Sequence, residues 1–103
     1  MRSKLEVNLL KAMLPHVVMQ MLKDQPMHGY QIMIEIRRRR GVSLGASTIY
    51  PLLSKMEREG LIKSTWDLSS ERPRKPYALT SRGTATLAKQ GVMIAAELGE
   101  IAR

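Results

Sequence analysis

The chain has no cysteine and no phenylalanine, and only two histidines, His16 and His28, among 103 residues. Without cysteine there are no disulfides, no thiolate metal sites and no cysteine nucleophile. Two histidines are too few for a histidine-based metal cage, so neither a metal nor a cofactor is expected. Aromatic residues make up 4% of the chain, which leaves no platform of paired exposed rings on which RNA bases would stack. The apolar N-terminal stretch is interrupted by Asn8, Lys11, Pro15 and His16. It reads as neither a signal peptide nor a membrane span, and a soluble cytoplasmic protein is the expectation. No nucleophile–base pair, phosphate-cradling glycine loop or carboxylate pair is present; Glu57 and Glu59 lie two apart and do not share a helix face. The expectation is a protein with no catalytic residues.

What the chain does have is positive charge, and it is localised. The net charge is +8, and the stretch from Arg37 to Lys89 holds 12 Lys and Arg against 4 Asp and Glu, which accounts for all of it. A basic surface confined to one part of a domain is the footprint expected for a polyanionic partner; a solubilising surface charge is the plainer account. A composition of 44% hydrophobic and 25% charged residues fits one folded domain over residues 1–103.

Helical spacing dominates the pattern. In the N-terminal segment, residues 1–24, Leu10, Met13, Leu14, Val17, Val18 and Met21 form a stripe, and Leu9, Met19 and Leu22 lie outside it. Two apolar faces on one helix of so small a protein imply cover by a partner subunit. Pro15 predicts a break or kink. After Pro26, a second helix carries Gly29, Ile32, Met33 and Ile36 on one stripe and ends in Arg37, Arg38, Arg39 and Arg40 before Gly41. His28 reads as a helix-start residue or a core hydrogen-bonder. Four cations in a last turn exceed what compensating the helix dipole requires.

The third helix is the informative one. Ser47 is a good N-cap, and Ile49, Leu52, Leu53 and Met56 make the apolar stripe. With Ser47 as cap, Pro51 falls at the fourth helical position, where its missing N–H costs little. Gly60 followed by Leu61 predicts the stop. Ser47, Thr48, Tyr50, Ser54, Lys55 and Arg58 then face outward, all hydrogen-bond donors and none acidic. Such a face suits phosphates and base edges.

Beyond Gly60 the period shortens to two, through "LIKSTWDL", with "YALT" as a return strand and Arg72, Arg74 and Lys75 near the intervening tip. Pro76 confines that strand to an edge. Tyr77 alternates with Leu79 into the hairpin's inner face. Two roles are open to Trp66, the sole tryptophan: packing the wing onto the domain, or lining a ligand cavity. From Ser81 a long helix, capped by Thr80 or Ser81, spaces Thr84, Leu87, Gly91, Ile94, Leu98 and Ile101 as a heptad-like seam. The predicted fold is mainly α with a small β-hairpin. It is a winged helix-turn-helix over residues 27–80, with an N-terminal dimerisation helix in 1–24 and a C-terminal one in 81–103. Leu9, Met13, Val17, Leu87, Ile94, Leu98 and Ile101 are the expected dimer contacts.

Three motifs in order, "PMHGYQI" at 26–32, "STIYPLLSKMEREGLI" at 47–62 and "RPRKPYALTSRG" at 72–83, make the chain resemble the PadR family of winged-helix transcriptional regulators. The likeness runs from about Leu9 to Ile101. It implies a cytoplasmic homodimer that binds an inverted-repeat operator in double-stranded DNA, as a repressor, with the first and last helices making the dimer. It implies DNA contact by Tyr50 and by the wing from Arg72 to Lys75. Pro76 stands where many members carry a second aromatic, which implies a shorter wing strand. The single C-terminal helix resembles the family's short subgroup. Two other readings remain: a winged helix that serves as a protein-interaction module through its apolar end helices, and a sensor that takes a small-molecule effector into a dimer-interface pocket.

Overall fold

The structure, a computed structural model, describes residues 2–103; Met1, the first residue of the 1–24 segment, lies outside them. In chain order the elements are α1 (Lys4–Ala12), α2 (Leu14–Asp24), α3 (Gly29–Arg40), α4 (Ala46–Arg58), β1 (Ile62–Ser64), β2 (Tyr77–Leu79) and α5 (Ser81–Ile101). This is a winged helix-turn-helix with additional helices at both ends.

The N-terminal segment is two helices, not one kinked helix. Met13 ends α1 and begins α2, which places Pro15 at the second position of α2, among donors that lack helical partners in any case. Ser3 and Glu6 form a reciprocal capping box at the start of α1. The two apolar faces expected to require a partner subunit are covered from within along α2, while Leu9 of α1 stays 61% exposed. Leu14, Val17, Val18, Met19, Met21 and Leu22 of α2 are all buried, because α2 runs through the centre of the subunit against α5 and β2. Val17, expected at the dimer interface, is 5% exposed, and so is Leu87 of α5. Both belong to the subunit's own core.

His28 caps α3 through a capping box with Gln31, and Gly41, in the left-handed region at φ 69°, ends it. The core then closes around Ile32 and Ile36 of α3, Ile49, Leu53 and Met56 of α4, and Ile62 of β1, each no more than 1% exposed. Burial of side chains this size stabilises the fold by about 1.5–3 kcal/mol each. β1 and β2 pair antiparallel, with Ile62 opposite Leu79, Lys63 opposite Ala78 and Ser64 opposite Tyr77. Tyr77 also pairs on its other side with Met27: its N–H donates to the Met27 carbonyl at 2.7 Å and its carbonyl accepts from Met27 at 3.1 Å. The wing is thereby anchored to the segment that leads into α3. Pro76 has no N–H to contribute, and the regular ladder stops there. One further bridge, Asp67 with Arg74, carries the hairpin outward.

Candidate nucleic-acid interface

α4 starts two residues earlier than its sequence suggests. Gly45 is the N-cap, with no side-chain cap bond, and Ser47 is the second helical residue. The Ser47 hydroxyl is therefore not spent on capping. Pro51 moves from the expected fourth position to the sixth, counting from Ala46, where its missing N–H leaves the Ser47 carbonyl without the helical donor it would otherwise have. Both residues are exposed. At the other end, Gly60 at φ 77° lets the chain reverse. The Leu61 N–H donates to the Met56 carbonyl and the Gly60 N–H to that of Glu57, both at 3.0 Å, a Schellman stop.

Between those ends one face is free. Ser47, Thr48, Tyr50, Pro51, Ser54, Lys55 and Arg58 are exposed, while Ile49, Leu53 and Met56 are buried on the opposite side. The acid nearest this face is turned away from it. The Glu57 carboxylate accepts from the Ser64 hydroxyl at 2.6 Å and from the Ser64 N–H at 3.1 Å, which ties α4 to the first wing strand. Glu59 lies beyond the last helical turn as the C-cap. An exposed helix front with hydroxyls and cations, no carboxylate and the positive end of a helix dipole can hold phosphate oxygens and donate to base edges.

Tyr50 is 42% exposed, and its ring lies against Gly29 at the start of α3. A Cβ at position 29 would come within 2.5 Å of Cε1 and 2.9 Å of the hydroxyl oxygen. The glycine in "HGY" exists to make room for that ring. Tyr77 lies nearby, and burial first, then the charge of Glu57 and the presence of Tyr50, push its phenol above the ordinary value of 10.0. It stays neutral, as a core residue should.

In the wing, Arg72, Arg74 and Lys75 are exposed. Asp67 accepts from the Ser69 hydroxyl at 2.6 Å and the Ser69 N–H at 3.0 Å to make the turn. Those bonds, with Arg74 nearby, hold its carboxyl below the ordinary 3.8. Trp66 is 60% exposed on this hairpin, with the Lys75 ammonium 5.9 Å from its ring centroid. The joint at the wing's base is Thr80. Its hydroxyl donates to the Gly60 carbonyl at 2.6 Å and accepts from the Gly83 N–H at 2.9 Å, capping α5.

The arginines at the end of α3 form a separate group. Glu35 takes Arg38 and Arg39 together at 2.8 Å, and the Arg40 carbonyl accepts from Arg2 Nε at 2.7 Å, next to α1. They lie about 16 Å along α3 from the Gly29–Tyr50 contact. The guanidinium sides of both pairs are exposed while Glu35 is partly buried, at 23% exposure. The structure ties α4 to the first wing strand through Glu57 and Ser64, and leaves Arg38, Arg39 and Arg40 at the other end of α3.

Residues 18–89 match the model of the Transcriptional regulator PadR-like family. The chain belongs to that family. Among solved structures it is similar to a PadR-like transcriptional regulator from Bacillus cereus at 26% identity and a TM-score of 0.78, covering 93% of this chain and 97% of that one. A PadR family regulator from Eggerthella lenta, at 27% identity and a TM-score of 0.78, matches over 96% of this chain and 89% of its own. Bacillus subtilis PadR, solved in complex with operator DNA, matches at 28% identity and a TM-score of 0.67 over 75% of this chain and 45% of its own. No curated protein sequence matches the chain. Glu57 was missed as a site-building residue in the sequence, whereas Thr80 was read there as a possible cap of the last helix and Gly29 as a stripe residue that lets another helix pack close.

Proposed function

We propose that this PadR-like regulator is a cytoplasmic homodimer that represses transcription by binding an inverted-repeat operator in double-stranded DNA. α4 enters the major groove, with Ser47, Thr48, Tyr50, Ser54, Lys55 and Arg58 against bases and adjacent phosphates. The wing, through Arg72, Arg74 and Lys75, holds flanking DNA, and Arg38, Arg39 and Arg40 meet phosphates outside the groove. The single observation that carries this reading is the acid-free exposed face of α4, with Glu57 turned to Ser64.

Pairing is supported by apolar surface that the subunit leaves uncovered at both ends of the chain. Leu5 and Leu9 of α1 are 79% and 61% exposed, and Leu98 and Ile101 of α5 are 57% and 77% exposed. Leu9, Met13, Ile94, Leu98 and Ile101 form the interface in this reading, while Val17 and Leu87 support it from behind. A groove of about 240 Å³ between Met13, His16, Gln90 and Ile94 borders the same surface and is where a small apolar effector would lodge.

The test is the salt dependence of DNA affinity. Lys55→Ala and Arg58→Ala each lower the slope of log affinity against log salt by about one, with the fold unchanged. Slopes equal to that of the unaltered protein would remove both residues from the interface.

A further inference from the structure

The inner face of the wing does not end where the core ends. Ile62 pairs with Leu79 and Ser64 with Tyr77. Beyond the regular ladder the same register is kept, by the Thr65 N–H donating to the Pro76 carbonyl and by mutual bonds in the isolated Asp67–Arg74 bridge. In that register Trp66 stands opposite Lys75. Strand residues alternate between faces, so Ile62–Leu79, Ser64–Tyr77 and Trp66–Lys75 occupy one side of the hairpin. The first two pairs cover the core and α4, and the Ser64 hydroxyl reaches Glu57 there. The third pair lies farther out on the same side, with Trp66 60% exposed. The Lys75 ammonium sits over the indole, 5.9 Å from the ring centroid, held by the ring's negative face.

An exposed indole under the Lys75 ammonium, on a hairpin that also carries Arg72 and Arg74, is a poor seat for an apolar protein partner, because closing such an interface would desolvate the cations. A nucleic-acid backbone suits it, since apolar sugar rings there alternate with single anions. We infer that Trp66 is a DNA-contacting residue. Its indole packs flat on a deoxyribose of the strand flanking the half-site, and Lys75, aligned by the ring, pairs with the adjoining phosphate. This rests on the proposed DNA-binding function and adds to it an apolar clamp whose strength does not come from counterion release.

Trp66 is the sole tryptophan, so intrinsic fluorescence reports it alone. The probe is a fluorescein-labelled duplex enriched by the full-length protein from a random-sequence pool, with binding followed independently by anisotropy. Saturating duplex is expected to lower acrylamide quenching of Trp66 several-fold. Trp66→Ala is expected to weaken binding about ten-fold with the salt slope unchanged, as loss of an uncharged stacking contact does. Trp66→Phe restores most of the affinity, whereas Lys75→Ala lowers the slope by about one. Normal binding by anisotropy with Trp66 equally accessible in the bound state, or with Trp66→Ala at full affinity, would overturn the inference and leave the parent reading standing. So would a Trp66 already shielded in the DNA-free protein. No anisotropy change with any duplex would overturn both.

Discussion

Replacing Gly29 with alanine adds one methyl group where the Tyr50 ring already lies. The new carbon would stand 2.5 Å from Cε1, 2.8 Å from Cζ and 2.9 Å from the hydroxyl oxygen, against the roughly 3.5 Å at which carbons pack. Something must move, and the ring is the easier part, because it is the end of a side chain already 42% exposed. Swinging it outward uncovers about 100 Å² of apolar surface, at most about 2.5 kcal/mol. Alanine returns up to about 1 kcal/mol by favouring the first turn of α3. The net expectation is a loss of about 1–2 kcal/mol, or about 5–10 °C in Tm. In a Tyr50→Ala background the ring is gone, and Gly29→Ala becomes neutral or stabilising by up to about 1 kcal/mol. The assay is thermal unfolding of the four proteins by circular dichroism at one protein concentration, since the Tm of the proposed homodimer depends on concentration. Equal destabilisation by Gly29→Ala with and without the Tyr50 ring would refute the idea that this glycine exists to seat it.

Gly83→Ala should be the more damaging glycine substitution. Its Cβ would overlap the Leu61 carbonyl oxygen and come within 2.7 Å of Leu79 Cδ1, and a backbone oxygen cannot swing aside. A loss of about 3 kcal/mol is expected in urea unfolding, against the opposite sign if the first turn of α5 were not packed on the wing base. The turn held by Asp67 should weaken in acid. Its folded carboxyl lies below the ordinary 3.8, so its contribution is complete above that value and is lost as pH falls through the lowered one. Following the Ser69 amide by NMR should give a midpoint below 3.8 that rises in Ser69→Ala; a midpoint at or above 3.8 would remove the Asp67–Ser69 bonds from the account.

The apolar stripes of α3 and α4 were readable because each period of 3.6 matched one buried face, and Gly60–Leu61 announced the Schellman stop directly. The start of α4 was not. Ser47 is a better intrinsic cap than Gly45, but the helix began at Ala46, which left the Ser47 hydroxyl on the outer face. α2 misled for a different reason. Its two apolar faces were real, and periodicity cannot say whether a subunit or a partner covers them; here α5 and β2 of the same subunit do, which moved Val17 and Leu87 into the core. Glu57 was hidden as well, because its value lies in a bond to Ser64, seven residues away across a turn, that no local pattern encodes. The Pro76 effect was legible: a residue with no N–H ends a ladder wherever the ladder needs a donor, and the regular strands are three residues each.

The central claim is that two copies of the acid-free α4 face read DNA together, and a hydroxyl-radical footprint on a duplex selected by the protein tests it most directly. The account predicts two protected stretches related by a dyad, centred about 34–36 Å apart on one side of the helix, with protection over both lost in Tyr50→Ala. A single protected stretch, or uniform weak protection on every sequence, would contradict it.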